Sequence, residues 1–260
     1  AEIIGSRLVL AGRIDDAAGA LAELVGQLPA GAVSIDTSGV TFINSIGMRE
    51  WMRLVRALRE RGRVTFERVA DVLVALIEPS TGLLRPDSSI WETHWNGRER
   101  HWAYTNIVAV RGLCDASQLA EQVGDRERAD TYRETAVALR TAIAEQLRDG
   151  DGALASNTEE LATGGGHFDA SVLDAIAMGL FDPTESTASA TLAALDTALL
   201  VDASEVGWSR NDDRFDHGGG EDLSPWGSDY DSAEWVVTDL RGAIATRAAG
   251  DAARSDAILQ

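Results

Sequence analysis

The chain opens on short apolar runs broken by glycine and proline, a pattern that alternates strand with helix. "RLVLAG" (7–12) and "AVSIDTS" (32–38) predict strands. Between them, "DDAAGALAELVGQL" starts on aspartate and keeps its leucines on one face, which predicts a capped helix. From about Ile46 to Arg61, residues Trp51, Leu54, Val55 and Leu58 recur at i, i+3, i+4 and i+7, the spacing of one helix face. Gly62 stops that helix, "RVTFE" predicts a third strand, and "VADVLVALI" a final helix. Residues 1–80 read as a small α/β unit.

Beyond them the period is helical. "ERADTYRETAVALRTAIAEQL" aligns Tyr132, Ala136, Leu139, Ile143 and Leu147 in one stripe, with Asp125 placed to cap its start. "FDASVLDAIAMGLF" is apolar almost all round, as expected of a helix buried on both sides. "TASATLAALDTALL" puts Leu192, Leu195 and Leu199 on one face, and "DSAEWVVTDLRGAIATRAAG" ends at the glycine stop Gly250. With helices starting near Tyr104 and Asp251, residues 81–260 read as about six helices. The connections at 87–102, 150–167 and 202–229 are long, polar and rich in glycine and aromatics. Loops of that length in a helical domain usually carry function.

Charge divides the chain at the same place. Of 42 acidic and 23 basic residues, residues 1–81 hold 10 and 9, and the remainder hold 32 and 14. Every basic residue is arginine, and six of the seven tryptophans lie in the second part. The change falls at "EPSTGLLRPD" (78–87), where two of the five prolines sit, so a domain boundary is expected there. A net charge of −19 argues against nucleic acid and anionic membranes as partners and suits a neutral ligand. Cys114 is alone, which excludes a disulfide framework and a cysteine-based zinc site. No stretch reads as a membrane span or signal peptide, so the expected location is cytoplasmic. Asp213, Asp216, His217, Glu221 and Asp222 form a cluster that could coordinate calcium, but EF-hand spacing is absent. Neither a metal nor a cofactor is expected.

One loop stands apart chemically. In "DSSIWETHW" (87–95), Glu92 lies between Trp91 and Trp95, and aromatic neighbours make its charge costly. A carboxyl meant to hold a proton near neutral pH gains from such desolvation. The plainer reading is a loop glutamate paired with Arg98 or Arg100.

The first unit resembles a STAS domain, the fold of anti-sigma-factor antagonists and sulfate-transporter tails. The residues that carry the likeness are "LVLAGRIDDAAGALAEL", "SIDTSGVTFINSIGMREWMRLVRALRERG" and the strand that follows. In that family a loop of the form Asp-Ser-Ser/Thr-Gly opens the helix, and its first serine is phosphorylated by a partner kinase. Here Asn44-Ser45-Ile46-Gly47 keeps Ser45 and Gly47 but lacks the acidic residue and second hydroxyl. Ser45 is either a helix cap alone or a cap that doubles as a switch.

The second part resembles glycoside hydrolase family 15, the glucoamylases and trehalase-like enzymes. Three blocks run in family order: "SSIWE" with "RERHWAYTNIVAVRGLCDASQLAEQVG", then "FDASVLDAIAMGLFDP", then "GWSRNDDRFDHGGGEDLSPWGSDYDSAEW". The resemblance implies part of an (α/α)6 toroid and an inverting mechanism. There one carboxylic acid protonates the glycosidic oxygen and a second carboxylate, roughly 6.5–9.5 Å away, activates water. Glu92 matches the family's general acid, with Trp91 and Trp95 as sugar platforms. Arg210, Asp212 and Asp213 match groups that hold sugar hydroxyls, against the alternative of a solvated loop. Tyr104 and Trp226 line the funnel or pack at helix starts. The family's base glutamate is expected beyond Gln260, with Glu221 as a poorly matched substitute. Two readings follow. One is an incomplete glucoamylase-like hydrolase region acting on a neutral α-glucoside. The other is a non-enzymatic interaction protein whose STAS-like unit binds a protein partner.

Overall fold

The computed structural model of the chain describes residues 1–15, 19–30, 33–43, 45–61, 64–65, 69–90, 99–164, 168–201, 207–212 and 234–259. They group into two compact units, Ala1–Ala75 and Leu76–Gln260.

In the first unit, β1 (Glu2–Ile4) turns through Gly5 (φ 61°) into β2 (Arg7–Ile14), its antiparallel neighbour. A positive φ at that turn position suits glycine. β3 (Val33–Ile43) and β4 (Val64–Thr65) add in parallel, giving the order β1-β2-β3-β4. Alternation puts Leu8 and Leu10 on one face of β2. α1 (Ser45–Arg61) supplies Leu54 and Leu58 to the same core, with Trp51 packed beside them. A Cβ at Gly47 would collide with the Ile14 carbonyl oxygen, so the backbone approach there depends on glycine. α2 spans Val69–Leu76.

Two expectations need correction. The stretch "DDAAGALAELVGQL" forms only a 3-10 helix, Leu21–Gln27, among the described residues. Gly19 adopts φ 67°, a left-handed conformation outside the helical region, and the described 3-10 turns begin after it. Asp15 pairs instead with Arg13 at 2.9 Å. "RVTFE" is strand at Val64–Thr65 alone among the described residues.

The second unit is built on a helical hairpin, α3 (Ala103–Val123) and α4 (Arg126–Gln146). Gly124 (φ 85°) closes α3, and the Asp125 carboxylate accepts the Arg128 N–H at 3.2 Å to start α4. So short a link makes the helices antiparallel neighbours. The expected stripe of α4, Tyr132, Ala136, Leu139 and Ile143, is buried, as is Leu147 just past its end. α5 (Thr158–Thr163), α6 (Asp174–Ala177), α7 (Ser186–Leu199), α8 (Val236–Ala248) and α9 (Ala252–Ile258) complete the described helices. None of the described helices is long and apolar enough to cross a membrane.

"FDASVLDAIAMGLF" is not one helix. A 3-10 turn, Ala170–Leu173, leads into α6, and Gly179 (φ 73°) follows. It is nevertheless central, with Ala170, Val172, Leu173, Ala175 and Ile176 no more than 1% exposed. The Asp169 carboxylate accepts the Ser171 N–H at 2.7 Å and so starts the 3-10 turn.

Candidate functional site

The site is framed by the base of one loop. The Leu84 N–H donates to the buried Asn106 Oδ1 (2.8 Å), whose own amide donates to the Trp102 carbonyl (2.7 Å). This ties the chain entering the loop to the first turn of α3. Three residues on, Asp87 and Arg100 exchange backbone hydrogen bonds, and the Trp102 indole donates to the Asp87 carbonyl at 2.9 Å. The Asp87 Oδ1 accepts the Ser89 N–H (2.6 Å) and the Thr105 hydroxyl (2.9 Å). Burial raises its pKa, opposed by those two hydrogen bonds. Ser89 sits at φ 56°, an uncommon conformation for a residue with a side chain. Trp91, Glu92 and Trp95 lie within this closed loop, but outside the described residues.

The far foot of the loop rests on α5. Arg100 lies 3.5 Å from Glu160, and the next residue, His101, is held between two carboxylates. Its Nδ1 is 2.7 Å from Glu159 and its Nε2 3.0 Å from Glu78. Burial pulls the His101 pKa down, but hydrogen bonds to Glu78 and Glu159 outweigh it, and the net direction is up. His101 was not singled out from sequence. Its signal was weak, because both of its partners are distant along the chain.

A second cluster gathers around Tyr104, on the first turn of α3. The Arg241 guanidinium of α8 lies over the Tyr104 ring, 5.2 Å from its centroid, and pairs with Asp174 at 3.1 Å. Asp174 is only 4% exposed, and burial raises its pKa against the pull of Arg241. Burial is also the leading cause of the raised Tyr104 pKa, with the charges of Asp174 and Asp169 adding to it. Asp169 connects this cluster to the segment that carries Arg210 and Asp212, since its backbone bridges Asn211.

Arg210 and Asp212 are buried, which overturns the solvated-loop alternative for both. Asp212 and Phe168 face each other. The Phe168 N–H donates to the Asp212 carboxylate (3.2 Å), and the Asp212 N–H donates to the Phe168 carbonyl (3.1 Å). Arg210 lies 5.5 Å from the Trp235 ring centroid. Asp213 and Trp226 fall outside the described residues, as do the acidic residues once weighed for calcium. Ser45 is the first residue of α1, and its side chain lies outside what the structure describes.

A carboxyl pair near Trp235 was missed from sequence. The Glu234 backbone bridges Ser209, and its side chain crosses Gly207, where a Cβ would collide with it. Glu234 also hydrogen-bonds Asp239, whose pKa rises to about 6. Burial is the main cause, opposed by the Trp208 N–H and reinforced by the charge and hydrogen bond of Glu234. Among the described residues, no three His, Cys, Asp or Glu side chains form a group that could hold a metal ion.

Residues 80–230 match the family described as Glycosyl hydrolases family 15. Among solved structures, a wild-type glycosidase is 20% identical, with a TM-score of 0.52 over 82% of this chain and 46% of its own. A glycosidase variant in complex with glucose gives the same figures. A bacterial glucoamylase complexed with acarbose is 19% identical, with a TM-score of 0.54 over 82% of this chain and 33% of its own. At such identities the likeness is one of fold. The chain spans under half the length of these structures. No curated protein matches the chain.

Proposed function

Because the chain belongs to glycosyl hydrolase family 15, we propose that its second unit is a glucoamylase-like hydrolase region. In this reading it cleaves α-glucosidic bonds with inversion, and Glu92 is the general acid. The observation that carries the reading is the closure of Asp87 on Arg100. It holds both ends of the Glu92 loop on the first turn of α3, beside the Tyr104 cluster. Trp91 and Trp95 keep Glu92 protonated and offer flat surfaces to a sugar ring. Arg210, Asp212, Asp213 and Trp226 hold hydroxyls or line the funnel. The ligand is a neutral α-glucoside or oligosaccharide, in keeping with the net charge of −19.

For the second carboxylate, the pair of Glu234 and Asp239 is an in-chain candidate that replaces a base sought beyond Gln260. Glu234 hydrogen-bonds the buried Asp239, whose pKa rises to about 6, and in this reading Glu234 is the carboxylate that activates water. The test is glucose release from maltose-type substrates. Glu92→Gln and Glu234→Gln should each lower turnover by ~10²–10⁴ while sugar binding persists. Release that survives Glu92→Gln rejects Glu92 as the acid. Release that survives Glu234→Gln removes Glu234 as the base.

The first unit supports a second reading as a STAS-type regulatory module that binds a protein partner. It rests on the three parallel-paired strands β2, β3 and β4, and on α1 beginning at Ser45 with Gly47 against Ile14. A STAS-directed kinase should add one phosphate that Ser45→Ala abolishes. An unmodified wild-type chain leaves Ser45 as a helix cap.

A further inference from the structure

We propose that Arg241 contacts the substrate, its Nη1 donating to a hydroxyl of a neutral sugar held beside Tyr104 and Asp174. The inference rests on the hydrolase reading above and extends it to residues that the motifs did not mark.

The Arg241 side chain is 16% exposed and that of Asp174 6%, so both are largely removed from water. Asp174 takes the Nε edge at 3.1 Å, while Nη2 reaches the Tyr104 hydroxyl at 3.5 Å. Tyr104 also supports the guanidinium plane from one face. Nη1 is shielded from solvent and meets no hydrogen-bond acceptor among the described residues. A buried ionised donor without an acceptor is destabilising, and such groups are rare in native proteins. Two fixed contacts on a rigid planar group also fix the direction of the remaining N–H bonds. The arrangement is prepared for an oxygen that arrives with a ligand.

The local charge sets the class of ligand. Arg241 and Asp174 offset one another, so the cluster offers little net attraction to phosphate or carboxylate. A hydroxylated ring matches it better, because neighbouring hydroxyls can accept from Nη1 and donate to Asp174 or Tyr104. Position agrees with the proposed reaction. Tyr104 follows directly on the closed Glu92 loop, and Arg241 lies on α8 beyond Trp235, which carries Arg210 on its ring.

The test is calorimetric titration of the full chain with methyl α-glucoside and its monodeoxy analogues. Wild type should lose at least about tenfold in affinity for one analogue, the one lacking the hydroxyl that Arg241 holds. Arg241→Lys keeps a positive charge beside Asp174 but removes the fixed N–H. It should bind methyl α-glucoside at least about tenfold more weakly and lose its sensitivity at that one position. An Arg241→Lys profile equal to that of wild type overturns the proposal. So does a uniform loss across all analogues, which marks a structural role. If the variant fails to fold, the wild-type series decides alone, since equal affinity for every analogue overturns the contact. A wild-type chain that binds no α-glucoside removes the hydrolase reading and this inference with it.

Discussion

Asp87 and Arg100 donate to each other's carbonyls, both at 3.0 Å, so the two ends of the segment between them meet at one point. The Asp87 carboxylate reinforces that point by accepting from Ser89 and Thr105. Asp87→Ala leaves the backbone pair but removes both side-chain bonds. It should lower stability by about 1–3 kcal/mol, seen in urea unfolding. In the hydrolase reading it should reduce kcat more than sugar binding, because the acid loop is displaced. An unchanged kcat in a folded variant would separate Asp87 from the chemistry.

His101 makes the second unit sensitive to alkaline pH. Its folded pKa lies above the ordinary 6.5, so its stabilisation is complete below pH 6.5 and fades as pH rises through the folded value. Glu78 and Glu159 face the ring, Arg100 with its partner Glu160 adjoins it, and the Asp87 charge is nearby. The melting temperature should fall across that window in wild type and stay flatter in His101→Gln. Parallel curves for the two proteins would show that the histidine carries no linked proton.

Asp239 acts in the same direction as His101, but at lower pH. Its pKa rises from 3.8 to about 6 on folding, so the unfolded chain releases the proton first. Its contribution is most favourable below pH 3.8 and is lost as pH climbs to about 6. Asp239→Asn keeps an oxygen for the Trp208 N–H and has no charge to bury. Relative to wild type, it should gain stability between pH 4 and pH 7 in denaturant titrations. An equal difference at both pH values would place the effect outside titration.

Gly242 is needed for packing rather than for backbone freedom. A Cβ there would run into the Trp208 ring, which is fully buried and donates from its indole to Asp196 at 3.0 Å. Arg254 of α9 covers that ring at 4.9 Å and also pairs with Asp196. Gly242→Ala should cost about 1–3 kcal/mol through overpacking, even though alanine favours helix. A raised melting temperature would show that the ring can move aside.

What the sequence determined by itself was the local part. The α4 stripe and its Asp125 cap need only residues within a turn or two of each other, and so does the Leu54–Leu58 face of α1. The stretch around Glu92 also stood out, because one carboxyl between tryptophans is unusual at any position. Three things were decided only by tertiary structure. The segment 168–181 lacks a polar face, so its pattern could not reveal where its helical turns break. For Arg210 and Asp212 the sequence left a solvated loop open beside a sugar-holding role, and only the placement of Phe168 and Trp235 against them removed it. Tyr104 and Arg241 stand 137 positions apart, and Arg241 alone reads as an ordinary exposed helix charge. Capping and amphipathic spacing act within a few residues and leave a periodic trace. The burial of a charge depends on which distant element closes over it, and no local pattern records that choice.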